Sequence, residues 1–178
     1  MWVAGTATHR TDSGGSPVDG YAPPERRPPL LAYGVLSAVF GSLVAAAILA
    51  LRRSGRELPD RIGAGDFALV AVASHKASRL LAKEKVASFI RAPFTELRGK
   101  GGPAELEEAP RGGGARRAIG ELLVCPYCLG MWIATGFALG IAVAPRLTRF
   151  VATVLSAVTV SDFLQIAYKA AEEKGLEG

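Results

Sequence analysis

Cysteine is almost missing from this chain: two residues, Cys125 and Cys128, three positions apart. A disulfide framework of the secreted kind is thereby excluded, and the pair is reduced, redox-active, metal-binding or simply packed. Charge is scarce as well, at 21% of residues against 49% for the aliphatic, aromatic and Cys class. With a mean hydropathy of +0.25, that balance is high for a soluble protein. The net charge of +5 does not lead to nucleic acid, because the basic residues lie in loops and helix flanks and do not interleave with aromatics. Glycine-rich stretches occur near 99–105 and 111–117, but no Gly-x-x-x-x-Gly-Lys-Ser/Thr pattern accompanies them. A nucleotide cradle therefore has no support.

Long uncharged runs are what the chain does have. Residues 30–51 carry no charge and are flanked by Arg26-Arg27 and Arg52-Arg53, which predicts a transmembrane helix. Residues 122–144 are also free of charge and would span about 34 Å as a helix at ~1.5 Å per residue. A third apolar stretch, 149–168, with Asp162 and Gln165 near its C-terminal end, follows Pro145 after a turn too short to allow anything but antiparallel neighbours. Residues 66–82 are ambiguous, because His75, Lys76 and Arg79 interrupt the apolar pattern, and each Lys or Arg at mid-bilayer would cost roughly 2.5–3.5 kcal/mol. The segment is a span or a membrane-embedded amphipathic helix. The expected fold is all-α, a small multi-pass bundle of four helices, or three if 66–82 does not span.

Around these runs lie a polar, disordered tail over 1–29, an extended loop over 83–120 and a charged tail over 169–178. Small residues Gly34, Ala38, Ser42 and Ala46 recur along the first helix, and Gly136 and Gly140 along the 122–144 helix, as in close helix crossings. The 83–120 loop holds eight Lys and Arg residues, so the positive-inside rule makes it cytoplasmic. The C-terminus and the Cys end of the 122–144 helix then face the cytoplasm in both models. The expected location is the cell membrane.

Several ordered motifs carry a resemblance. Ala73-Ser-His-Lys-Ala-Ser-Arg-Leu-Leu81, Ile90-Arg-Ala-Pro-Phe94, Ala118-Ile-Gly-Glu-Leu-Leu-Val-Cys-Pro-Tyr-Cys128 with Trp132, and Asp162-Phe-Leu-Gln165 resemble bacterial membrane proteins of domain of unknown function (DUF) 1360. The resemblance covers a core domain over 66–168, with helix 30–51 as an addition. It implies a small integral membrane protein and brings no activity. Glu84 stands where members carry an acidic residue after the first motif.

Three constellations could carry chemistry. Cys125-Pro-Tyr-Cys128 is the tetrapeptide of glutaredoxin active sites, but those need a soluble α/β fold and no strand pattern is visible here. A Cys at a helix N-terminus still gains thiolate stability, although burial in lipid works against it. Zinc needs more ligands; within one chain Cys125, Cys128 and His75 are the candidates, and a homodimer could supply four thiolates. Asp162, about 10 Å inside a helix ending at Tyr168, is a costly intramembrane carboxylate. A structural polar cluster of Arg79, Asp162 and Gln165, with His75 near, is expected, with an Arg79–Asp162 pair locking two helices. The leading expectation is a non-enzymatic scaffold or partner-binding bundle, with lipid and another copy or membrane protein as partners and no cofactor. The alternative is a thiol-redox or metal-binding membrane protein.

Overall fold

The computed structural model describes residues 20–23, 27–56 and 58–176. Most of the tail expected over 1–29 lies outside them. The helices are α1 (Leu30–Arg53), α2 (Ala64–Lys83), α3 (Ser88–Arg91), α4 (Gly114–Val124), α5 (Pro126–Val143) and α6 (Pro145–Leu176). Between α3 and α4 stands an antiparallel hairpin of β1 (Thr95–Lys100) and β2 (Leu106–Pro110). A single 3-10 turn, Lys85–Ala87, links α2 to α3.

Each helix boundary follows from local chemistry. At the end of α1, Gly55 takes φ +68°. That lets Arg56 N–H reach Leu51 O at 3.0 Å and Gly55 N–H reach Arg52 O at 3.2 Å, the paired bonds of a Schellman stop. Arg52 and Arg53 sit in that last turn, where the dipole favours cations. The run expected as one helix over 122–144 is two. Pro126 lacks an N–H and forces Cys125 into an extended conformation, φ −103° and ψ 102°, so α4 stops at Val124 and α5 restarts with Pro126 at its first position. Pro145 repeats the device between α5 and α6. That turn is tight: a Cβ on Gly140 would lie 2.7 Å from Thr148 Oγ1. Gly136 and Gly34 have open space instead, so neither small-residue pattern forms a close crossing along its length.

α2 is the middle of the bundle, packed on α5 and α6. Ala73, Ser74, Ser78 and Ala82 are its buried positions, and Ala152 is the fully buried counterpart on α6. Small side chains on both helices let them approach closely. α1 lies against α4 and α5. Arg56 donates to Val143 O at 2.6 Å, which places the ends of α1 and α5 together. Asp66 pairs with Arg149, which does the same for the starts of α2 and α6. All four long helices therefore run between two common levels, called here the hairpin end and the turn end.

The outside of this bundle is apolar. By length and composition α1, α5 and the 145–175 stretch of α6 can cross a membrane, yet only 6%, 11% and 11% of their apolar windows are buried. Contiguous exposed apolar surface of that extent is what lipid covers. α2 is long enough but carries too many charges to join them on those criteria. The 83–120 segment is not an extended loop: hairpin, α3 and α4 form a folded cap over the hairpin end. α6 also continues past Tyr168, so Asp162 is not near its end. Counted from the Pro145 turn it lies about 26 Å along α6 at ~1.5 Å per residue, near the level where α5 begins.

Candidate functional site at the hairpin end

Arg91 organises the cap. Its side chain is 0% exposed and makes a two-pronged pair with Glu108, Nε to Oε2 and Nη2 to Oε1, both at 2.9 Å. Its remaining nitrogen, Nη1, donates to Leu81 O at 2.8 Å and Glu84 O at 3.1 Å, carbonyls at the end of α2, the second of which also accepts from Ala87 N–H. Thr95 Oγ1 donates to Glu108 Oε2 at 2.8 Å. One guanidinium thus joins α2, α3 and β2. Burial alone would raise the Glu108 carboxyl, but hydrogen bonds from Arg91 and Thr95 outweigh it and hold it below the ordinary value. On the outer side, Arg111 and Arg116 donate to the Ala92 and Pro93 carbonyls. α4 packs so closely that a Cβ on Gly120 would stand 2.6 Å from Phe94 O.

A second polar network lies beneath. Lys76 Nζ pairs with Glu84 and, at 2.9 Å, with Asp162 Oδ2. Arg79 pairs with Glu105 at the hairpin tip. The Arg79–Asp162 pair expected from sequence is therefore not the one formed. The hairpin folds down over the end of α2 and takes Arg79, while Lys76 faces α6. Gln165 bonds Ser161 Oγ at 3.4 Å and joins neither network. His75 is exposed. Among the described residues no three His, Cys, Asp or Glu side chains converge to hold a metal, so Cys125, Cys128 and His75 are not one ligand set.

The thiols occupy the α4–α5 break. Cys125 caps α5, its Sγ accepting from Cys128 N–H at 3.2 Å. The Cα atoms are 5.3 Å apart, within the span of about 4.4–6.8 Å that a disulfide bridges, and the sulfurs face each other close to disulfide distance. Tyr127 between them is 92% exposed. Cys128 also lines a groove of about 330 Å³ between α1, α4 and α5. A larger cavity of about 490 Å³, beside Arg52 and Arg56, lies at the turn end, away from the thiols.

Comparison with known proteins agrees with the motifs. Residues 69–168 match the family described as protein of unknown function (DUF1360). The chain belongs to that family. It is 28% identical over 91 residues to UPF0713 protein YngL of Bacillus subtilis (strain 168), covering 49% of this chain and 66% of that protein, just under two thirds of its length. No solved structure matches. The Ile90 to Phe94 motif does not by itself give Arg91 a role; its burial depends on Glu108 and on the end of α2, which no local pattern announces.

Proposed function

We propose that the chain is a four-pass membrane protein whose hairpin end faces the cytoplasm, and that Cys125 and Cys128 form a reversible dithiol–disulfide couple at that boundary. α2 acts as the fourth span. It runs between α5 and α6, and its Lys76 is neutralised by Glu84 and Asp162, which offsets the cost of a charge near lipid. From the Pro145 turn to Asp162 is about 26 Å of helix, close to the ~30 Å of a bilayer core. The eight basic residues of 83–120 favour the cytoplasmic side for the cap.

The observation that carries the redox reading is the position of Cys125 at the N-cap of α5 with Cys128 beside it. Unpaired N–H groups and the helix dipole favour a thiolate there. In the reducing cytoplasm a permanent structural disulfide is disfavoured, and disulfides that do form are transient ones. The test is equilibration of the purified full chain in detergent with glutathione buffers of graded ratio, with free thiols counted by maleimide gel shift. A two-electron transition within the range supports the couple. Thiols that stay fully reduced, or fully bridged, at every ratio would overturn it and return the scaffold as the better account.

A further inference from the structure

We propose that the groove lined by Cys128 binds a lipid-soluble quinone, which oxidises the Cys125–Cys128 dithiol. The proposal rests on the reading of the pair as a reversible couple and adds the identity of its oxidant.

The groove has the three properties such a ligand needs. Its walls are largely apolar and partly aromatic: Leu36 and Phe40 come from α1, Met131 and Trp132 from α5, and the Phe40 and Trp132 rings meet at 4.9 Å with planes 60° apart. Its volume of about 330 Å³ falls in the range of small-molecule sites, ~300–1,000 Å³, and suits a substituted ring rather than a protein segment. Its depth is that of the membrane boundary, since these side chains lie within about 15 Å of the starts of α1 and α5 at ~1.5 Å per residue. Met131 is exposed at the groove's side, so a molecule dissolved in lipid can enter laterally.

The polar end supplies protons. Glu121 accepts from Tyr33 O–H and, at 2.9 Å, from Arg117 Nε. Glu121 lies one helical turn before Cys125. Reduction of a quinone to its quinol takes two electrons and two protons, and the dithiol provides both as it closes. The Cys128 thiolate faces the groove and adds to the quinone ring, forming a C–S bond. The Cys125 thiolate, favoured at the α5 N-cap, then attacks the Cys128 sulfur. The S–S bond forms, the C–S bond breaks, and the ring leaves with the electron pair as quinol. Its two oxygens take the two thiol protons, by way of Glu121 and solvent. The disulfide returns to dithiol by two successive exchanges with cytoplasmic thiols, which leave joined to each other as a disulfide.

The full chain, reduced and held in lipid nanodiscs, is mixed with decylubiquinone while quinone absorbance and free thiols are followed together. One quinol for each disulfide, saturating with quinone, is the expected result. Ser37 of α1 also lines the groove, and Ser37→Trp puts bulk into it while leaving both cysteines in place. It should slow oxidation by quinone on the order of tenfold or more, because the reacting atoms are held apart. Diamide, a water-soluble thiol oxidant, should still close the pair in that variant, which also shows that the variant is folded. On the wild type, a dimethyl ether of the quinol, which cannot react, should protect Cys128 from maleimide. Closure by diamide but not by decylubiquinone would overturn the quinone assignment and leave the couple standing. Failure of both oxidants would sink the couple itself. Oxidation by quinone that neither saturates nor responds to Ser37→Trp and the ether would mean random collision at an exposed thiol, and the groove assignment would fall.

Discussion

The two ends of the bundle are both held by Arg–carboxylate pairs, and the pairs are not alike. At the hairpin end Arg91 and Glu108 are 0% and 6% exposed, and the guanidinium also closes the end of α2. At the turn end Arg149 and Asp66 make an equally well-formed two-pronged contact, at 2.8 and 2.7 Å, but keep 48% and 21% of their side-chain surface exposed. Geometry is the same and burial differs, and burial decides what a broken pair costs. A charge stranded in a dry cap has no other partner, whereas one stranded on the surface finds water. The hairpin end is therefore a built platform for the thiols, and the turn end a fastening.

The largest effect expected is at Arg91. Arg91→Met leaves Glu108 buried without its partner and frees two carbonyls of α2, a loss of about 3–5 kcal/mol. Unfolding of the cap in detergent should register it, and adding Glu108→Leu should recover a substantial part. If the double variant were no better than Arg91→Met alone, the pair would not be the source of the cost. The acid side sharpens the same point. The folded Glu108 carboxyl lies below its ordinary value of 4.5, so its contribution is fully present above 4.5 and is lost as pH falls through the lower folded value. In Arg91→Met burial acts without its main counterweight, and acid loss of the cap should begin at higher pH than in the wild type. An unchanged acid profile would contradict this.

Some of this contrast could be read from the sequence and some could not. Runs without charge over 30–51 and 122–144, and the apolar stretch 149–168 with its lone internal Asp162, have few readings besides membrane helices, and the structure places α1, α5 and α6 there. The break at Cys125 was signalled by Pro126, but the apolar run around it masked the signal. The hairpin was hidden because its strands show no apolar-in, polar-out alternation: Leu97 is exposed while its cross-strand partner Glu108 is buried. A pattern search for apolar-in strands passes over such a pair. Asp162 was recognised as a carboxylate needing a partner, but the choice of Lys76 over Arg79 depends on where the hairpin tip comes to rest. That is a long-range fact, absent from any local window.

Between the extremes lies the contact of α4 with the hairpin base. Gly120→Ala would drive a Cβ to 2.6 Å from the Phe94 carbonyl oxygen, a backbone atom that cannot rotate away. A destabilisation of about 1–3 kcal/mol is expected, as for overpacking elsewhere. The same change at Gly136, which faces open space, should be close to neutral. Equal losses at both would show that the Phe94 contact is not the source of the cost, since helix propensity by itself favours Ala over Gly.

The Lys76–Asp162 pair comes next. Asp162 is 46% exposed, so the pair sits nearer to the surface regime than Arg91–Glu108. A double-mutant cycle with Lys76→Met and Asp162→Asn should give coupling of about 0.5–1 kcal/mol in detergent. Lys76→Met should cost more than Asp162→Asn, because Lys76 also serves Glu84. Arg79→Gln with Asp162→Asn should be additive, since Arg79 is engaged with Glu105. Coupling in the second cycle and none in the first would restore the pairing that the sequence alone suggested.

The smallest effect belongs to the turn end. Asp66 and Arg149 lie at the N-terminal starts of α2 and α6. The dipole favours Asp66 there and disfavours Arg149, so part of what the pair gains is given back. Both groups keep solvent contact, Arg149 more than Asp66, so removing either leaves the other partly hydrated. Arg149→Gln should therefore move the thermal midpoint in detergent less than any change above, and salt should reduce even that difference by screening. The comparison fails if Arg149→Gln matches Arg91→Met, or if its effect persists unchanged in high salt. Either outcome would mean that the turn end is dry in the folded protein, so that exposure in an isolated chain misstates its surroundings. A second copy packed against that end is then the first thing to look for, by measuring the mass of the particle in detergent.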